Sequence, residues 1–425
     1  MDLATLLVLG SSAQRKGKLD VAENVWRRCI ADHPGDFRAF FNLSSLLSER
    51  RDGVGTLEAV GLLEEAHRLA PHIVETCANL AGLKIKLGCP GEAIAWCERG
   101  LSLPGAGEPP NSECLFNLNV ALRQEGRMQE AIQRTLAVLN DVILASSSPA
   151  LAVCPLQAYP PTVFPSPQDE EVVFVCVKWG SKYGPEYVNA LLRALQNHHT
   201  SPSRSSSSSP TPPVRLVCLT DDPAGIDPNV DCLLLPQEPS EWRHWWLKAH
   251  LFGPDLAAHI PAQVVVVYLD LDTVICNSLE KCLRPLIDSA RGGVLLSLSA
   301  GHFPLSEGRA QGINSSLLVW CNGRGPDKIY SFLKSHYRAV TRCIYKFDHF
   351  LEMMLLFSDE GHEGFQFVPQ TPQIVDFAHL AALDKGSRDD LVKPGGVVSI
   401  VCFPLHPKPH HEVDNHEWIR RNWKF

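Results

Sequence analysis

The alternation of apolar and polar positions changes character near residue 145. Before it, small and apolar residues recur at helical spacing, which predicts paired helices. Beyond about residue 170, short apolar runs alternate with helical patterns, which predicts an α/β domain with a mainly parallel sheet. The first run is Val172-Val-Phe-Val-Cys-Val177. After Pro185, which suits a first helical turn, Val188, Leu191, Leu192 and Leu195 recur at i, i+3, i+4 and i+7 and mark an amphipathic helix. Further strands are expected at 214–219, 230–235, 293–298, 311–320, 365–369 and 396–403. Helices are expected at 279–287, 326–337 and 348–357, the last with Asp348 in an N-cap-like place.

The helical part repeats at close to 34 residues. Gly10, Gly17, Ala22 and Pro34 recur as Ala59, Ala66 and Pro71, then as Ala81, Gly88, Ala93, Gly100 and Pro104, and finally as Gly126 and Ala131. Small residues let two helices approach closely, and one pair cannot bury its own face, so copies stack into a solenoid. The pattern resembles tetratricopeptide repeats over residues 1–145, which implies a surface for a peptide or protein partner or, equally, a purely stabilising role. A proline-rich linker is expected over 146–170 and a disordered Ser/Pro insertion over 200–213, inside a second domain spanning 171–425.

The stretch 264–275 organises that second domain. Four valines, Tyr268 and Leu269 lead into Asp270-Leu-Asp272. Read as one strand, the period of two points both carboxylates the same way. Two like charges held together call for a cation between them, and oxygen ligands select a hard one, Mg2+ or Mn2+. Upstream, Lys178 and Lys182 could face phosphates while Trp179 or Tyr183 stacks on a base; the aromatics could equally fill the loop's own small core. Trp242, Trp245 and Trp246 read as packing, with Lys248 the functional residue of that group.

Composition changes this picture little. With 20% charged residues and a net charge of −8, the chain has no basic nucleic-acid footprint. The 14 cysteines include no CxxC and lie mostly in apolar runs, which suits buried thiols in a reducing compartment. Residues 1–10 lack a basic start and a long apolar core, and no run approaches a membrane span, so a cytoplasmic location is expected.

Six marks in order carry a second resemblance. They are Val177-Lys-Trp-Gly-Ser-Lys-Tyr-Gly-Pro-Glu-Tyr187, Cys218-Leu-Thr-Asp-Asp222, Trp245-Trp-Leu-Lys248, Tyr268-Leu-Asp-Leu-Asp272, Gly312-Ile-Asn-Ser315 and Phe403-Pro-x-x-Pro-Lys-Pro-His410. Residues 172–425 resemble a glycosyltransferase of the GT-A fold, related to the glycogenin-like group. That implies a Rossmann-like α/β/α domain, and for the whole chain an α-solenoid followed by that domain. The resemblance implies a DxD pair, Asp270 and Asp272, holding Mn2+ or Mg2+ against the diphosphate of a nucleotide-sugar donor. It also implies that Lys178, Trp179, Lys182 and Tyr183 with Thr220, Asp221 and Asp222 hold the nucleotide. Lys248, Lys408 and His410 would meet the phosphates and Gln311 and Asn314 the donor sugar. Asp348 would be the acidic residue near sugar and acceptor. The third metal ligand of the group falls near Cys402, where His406 or His410 could substitute.

Two other classes compete. One is a repeat scaffold whose transferase domain has lost activity. The other is a haloacid-dehalogenase-type phosphatase, with Asp270 as nucleophile, Asp272 as general acid and Ser297 in its second motif.

Overall fold

The computed structural model describes residues 2–16, 18–48, 53–103, 112–145, 172–199, 214–236, 241–307, 311–324, 327–344, 346–356, 364–404 and 407–423. The expected linker over 146–170, the Ser/Pro insertion over 200–213, Gly17, Pro104 and His406 lie outside them. The chain divides into two compact units, Met1–Leu151 with Thr341–Tyr345 and Ala152–Val340 with Lys346–Phe425.

The first unit is a run of helix pairs: α1 (Leu3–Arg15) with α2 (Leu19–Asp32), α3 (Phe37–Ser48) with α4 (Gly53–Leu69), α5 (Val74–Lys86) with α6 (Pro90–Leu101), and α7 (Ser112–Gln124) with α8 (Met128–Ala145). Each helix packs on the next, and α5 also packs on α7, the stacking of a solenoid. The small residues are where the helices meet. Ala22, Ala59, Ala66, Ala81, Ala93 and Ala131 are fully buried. At Gly10 a Cβ would stand 2.6 Å from the ring of Trp26, itself completely buried, so the first pair closes only around a glycine. A helical solenoid of repeats is therefore present, as its spacing predicts.

The second unit is built on a seven-stranded mixed sheet in the order β3-β2-β1-β4-β7-β6-β8. Its strands are β1 (Val172–Lys178), β2 (Arg215–Thr220), β3 (Asp231–Leu234), β4 (Val265–Leu269), β6 (Leu295–Ser299), β7 (Ile313–Cys321) and β8 (Phe365–Phe367). The pairs β1–β2, β2–β3, β1–β4 and β6–β8 are parallel, while β7 runs against both β4 and β6. A small second sheet orders β5 (Thr273–Ile275), β10 (Ile400–Cys402) and β9 (Ile374–Asp376). The helices are α9 (Pro185–His198), α10 (Pro254–His259), α11 (Glu280–Arg291), α12 (Pro304–Glu307), α13 (Asp327–Cys343), α14 (Phe347–Leu356), α15 (Phe377–Ala381), α16 (Lys385–Val392), α17 (Pro409–Glu412) and α18 (Glu417–Asn422), with a 3-10 helix at His244–Phe252. Helix α9 buries Val188, Leu191, Leu192 and Leu195 in one core with Phe174, Cys176 and Val267 of the sheet, so its apolar stripe has the partner its spacing demands.

Two expectations need correction. The stretch 264–275 is not one strand. Strand β4 ends at Leu269, a turn closed by Thr273 N–H donating to the Asp270 carbonyl at 3.2 Å follows, and β5 joins the other sheet. The continuous apolar run hides this switch, because both sheets demand buried residues. Asp348 is not an N-cap either: α14 begins at Phe347, so its carboxylate sits in the first turn, where the helix dipole favours it.

Candidate functional site

Strands β1, β2 and β4 end together at one edge of the sheet with Lys178, Thr220 and Leu269. The connections diverge on either side of β1 and β4 in the order β3-β2-β1-β4, and such a switch point opens a crevice beyond the carboxyl ends of the strands. Reversed strand β7 enters the sheet from that edge, and its Ser316 carbonyl accepts from Asp270 N–H at 3.0 Å. The acidic pair therefore stands at that edge of the sheet on a tight turn rather than along a pleat.

Each carboxylate is gripped by a lysine from another element. Lys248 Nζ, on the 3-10 helix, lies 2.7 Å from Asp270 Oδ1 and donates to Ser315 Oγ at 3.2 Å. Tyr268, two residues before Asp270, donates its hydroxyl to the same carboxylate oxygen. Lys408 Nζ lies 2.6 Å from Asp272 Oδ2, which also accepts from the Tyr183 hydroxyl at 2.8 Å. Side-chain exposure is 10% and 22% for Lys248 and Asp270, and 7% and 10% for Lys408 and Asp272, so both pairs are shielded from water.

The electrostatics converge on the same point. Burial works against the charged form of Lys248, but Asp270, Asp348 and Asp272 outweigh it and hold its pKa above the ordinary value. Exposed Lys182 is pushed the other way, first by desolvation and then by Lys408, against the pull of Asp272 and Asp270. Burial, followed by the neighbouring carboxylates, drives the hydroxyls of Tyr183 and Tyr268 far above the usual phenol range, so both remain donors. Lys248 and Lys408 thus sit on Asp270 and Asp272, Lys182 feels the charges of all four, and Asp348 adds its charge to Lys248.

The remaining candidates divide. Lys178 is spent on tying strand ends together: its Nζ donates to the Asp222 carbonyl at 3.1 Å and lies 3.9 Å from Asp221 Oδ1. Asp221 also accepts from Gly180 N–H at 2.7 Å, with Gly180 at φ +58°, a conformation that favours glycine. Thr220 closes on Asp222 through its hydroxyl. Trp179 is half-buried. Asn314 is buried, donating to Glu307 at 2.8 Å and accepting from Ser316 N–H, so its amide is engaged within the protein, whereas Gln311 is exposed. His410 meets the hydroxyl of Tyr187 through Nδ1. Ser297 is fully buried and donates to main-chain carbonyls, which removes the side chain that the phosphatase reading needs. Tyr268, Ser315 and Tyr187 escaped the sequence reading as site residues. The period of two from Asp270 back to Tyr268 was the one available signal.

A hard cation is tested by the donor set. Asp270 Oδ2 and Asp272 Oδ1 have no hydrogen-bond partner among the described residues, which leaves two oxygens to offer. Among the described residues no three His, Cys, Asp or Glu gather as metal ligands. Cys402 pairs with Thr273 inside the second sheet, and burial raises its thiol well above the usual range, so it supplies no thiolate. The residues fit a cation that brings most of its shell from phosphate oxygens and water, not one held by the protein alone.

No family model and no curated protein matches the chain. Among solved structures, the MamA protein is similar at 15% identity with a TM-score of 0.28, over 34% of this chain and 81% of its own. YrrB, described as a TPR protein with an unusual peptide-binding site, is similar at 15% identity and 0.28, over 34% and 77%. A thermophilic TPR protein of Thermus thermophilus is similar at 18% identity and 0.29, over 35% and 76%. Likenesses this distant add nothing to the helix pairs already described.

Proposed function

We propose that residues 171–425 form a GT-A-like glycosyltransferase domain that binds a nucleotide-diphosphate sugar at the Asp270–Asp272 crevice and transfers the sugar. The observation that carries the reading is the convergence of Lys182, Lys248 and Lys408 with Asp270 and Asp272 at the carboxyl edge of a parallel β3-β2-β1-β4 run. Lysines at that edge suit a diphosphate, and their charge offsets what develops on the departing nucleotide. Half-buried Trp179 offers a ring for the base. Asp348, whose charge reaches Lys248, faces the sugar and acceptor as the candidate general base. Asp270 and Asp272 would hold Mg2+ or Mn2+ through their open oxygens, and the ion when bound supplies Lewis-acid charge to the leaving diphosphate. The helical repeats would present a polypeptide or glycan acceptor, since stacked helix pairs offer an extended binding face.

The reading is tested by thermal-shift screening of nucleotide sugars with and without Mn2+. One donor should raise the melting temperature of the native chain, and Trp179→Ala and Lys182→Ala should each reduce that shift. A panel with no stabilising donor would overturn it. One observation favours a second reading, a catalytically silent repeat scaffold: each carboxylate already carries a paired lysine, as in a purely structural clamp. A structural clamp leaves nucleotide sugars unbound.

A further inference from the structure

Resting on the donor-site reading, we infer that Lys248 and Lys408 are exchangeable counter-ions: they occupy Asp270 and Asp272 in the free protein, exclude a divalent ion until a diphosphate arrives, and then transfer to the phosphates. Three observations carry this. The two ammonium groups stand 2.7 and 2.6 Å from the carboxylates that would ligate a metal, so the acidic pair is already neutralised one for one. Lys182 adds a third positive charge to the same volume. A divalent ion entering alone meets ammonium groups on the very oxygens' neighbours and lacks further protein ligands among the described residues.

A diphosphate reverses the balance. Its oxygens draw the two ammonium groups, each with three donors, off the carboxylates, Lys248 giving up Ser315 Oγ and Lys408 the Phe403 carbonyl as it moves. Asp270 and Asp272 are then left uncompensated in a shielded site, the condition under which they bind a cation. The tyrosine hydroxyls from Tyr268 and Tyr183 stay on the carboxylates and hold their orientation during the exchange. The cation therefore joins with the donor and not ahead of it.

The test is a binding measurement on the full chain. Free Mn2+ is followed by electron paramagnetic resonance without nucleotide or phosphate. Wild type should show no saturable binding below about 1 mM, and the K248M/K408M protein should bind Mn2+ at least tenfold tighter, a gain that adding Asp272→Asn removes. Micromolar Mn2+ binding by wild type alone, or no gain in a folded double variant, overturns the exchange. Calorimetry with inorganic pyrophosphate in EDTA gives the second arm and needs no stable double variant. Wild type should bind it, and K248M or K408M singly should lose at least tenfold. Equal binding by variants and wild type overturns the exchange but leaves the donor site standing, whereas no pyrophosphate binding with or without Mn2+ overturns both.

Discussion

Replacing Asp272 with alanine removes one half of a shielded ion pair. Lys408 is then left at 7% side-chain exposure with the Phe403 carbonyl as its remaining acceptor among the described residues. Breaking a buried pair from one side costs about 3–5 kcal/mol, because an uncompensated charge is left behind. The converse change, Lys408→Met, leaves Asp272 with the Tyr183 hydroxyl and should cost about 3 kcal/mol. Removing both ends should cost only about 0–2 kcal/mol, since no charge is stranded. The coupling in the double-mutant cycle is therefore several kcal/mol. Urea denaturation followed by tryptophan fluorescence reads it: at about 3 kcal/mol per molar urea, each single variant loses about 1 M in midpoint and the double variant recovers most of it. Arg338–Glu241 is the control, a close pair but with side chains 80% and 45% exposed, whose cycle should show far weaker coupling because water screens it. Additive single effects at 272 and 408 would show that this pair is not shielded from water.

Two further outcomes follow from packing and titration. His250 is buried against Trp242 and Tyr330, and burial depresses its pKa to about 4. Because the folded value lies below the unfolded 6.5, its contribution is complete above pH 6.5 and is lost as pH falls towards 4, about 3 kcal/mol in all. Melting curves from pH 7 to 4 should show that loss, and His250→Phe should flatten it; an unchanged slope would place the loss elsewhere. Gly10→Ala should destabilise the first helix pair by about 1–2 kcal/mol, as its Cβ meets the buried Trp26 ring at 2.6 Å. Gly61→Ala, with nothing within 4 Å, should stabilise by up to about 1 kcal/mol; a thermal melt in which both changes act alike would contradict the packing at Gly10.

Local periodicity exposed what depends on neighbours in the chain. The alanines at 22, 59, 93 and 131 marked helix contacts because a small side chain at each crossing is a local requirement repeated in every copy. The lysines and aspartates of the crevice were legible one by one, through the motifs that hold them. Their pairing was not, since Lys408 lies 136 residues from Asp272 and no pattern of period two or 3.6 spans that distance. The same reason hid the engagement of Lys178 with Asp221, which reads as free for a ligand. Asn314 and Glu307 lie only 7 residues apart, but one is on a strand and the other on a short helix, so no single period relates them. The turn at Asp270–Thr273 stayed hidden because buried valines and isoleucines flank it on both sides.

The reaction proposed at Asp270 and Asp272 is release of a nucleoside diphosphate from a nucleotide sugar as the sugar is transferred. The direct measurement is nucleoside diphosphate release from a panel of nucleotide sugars by the wild-type chain and by Asp270→Ala, with the fold of the variant checked by circular dichroism. The expected result is release from at least one donor by wild type and its loss in the variant. Release that continues unchanged in Asp270→Ala would contradict it.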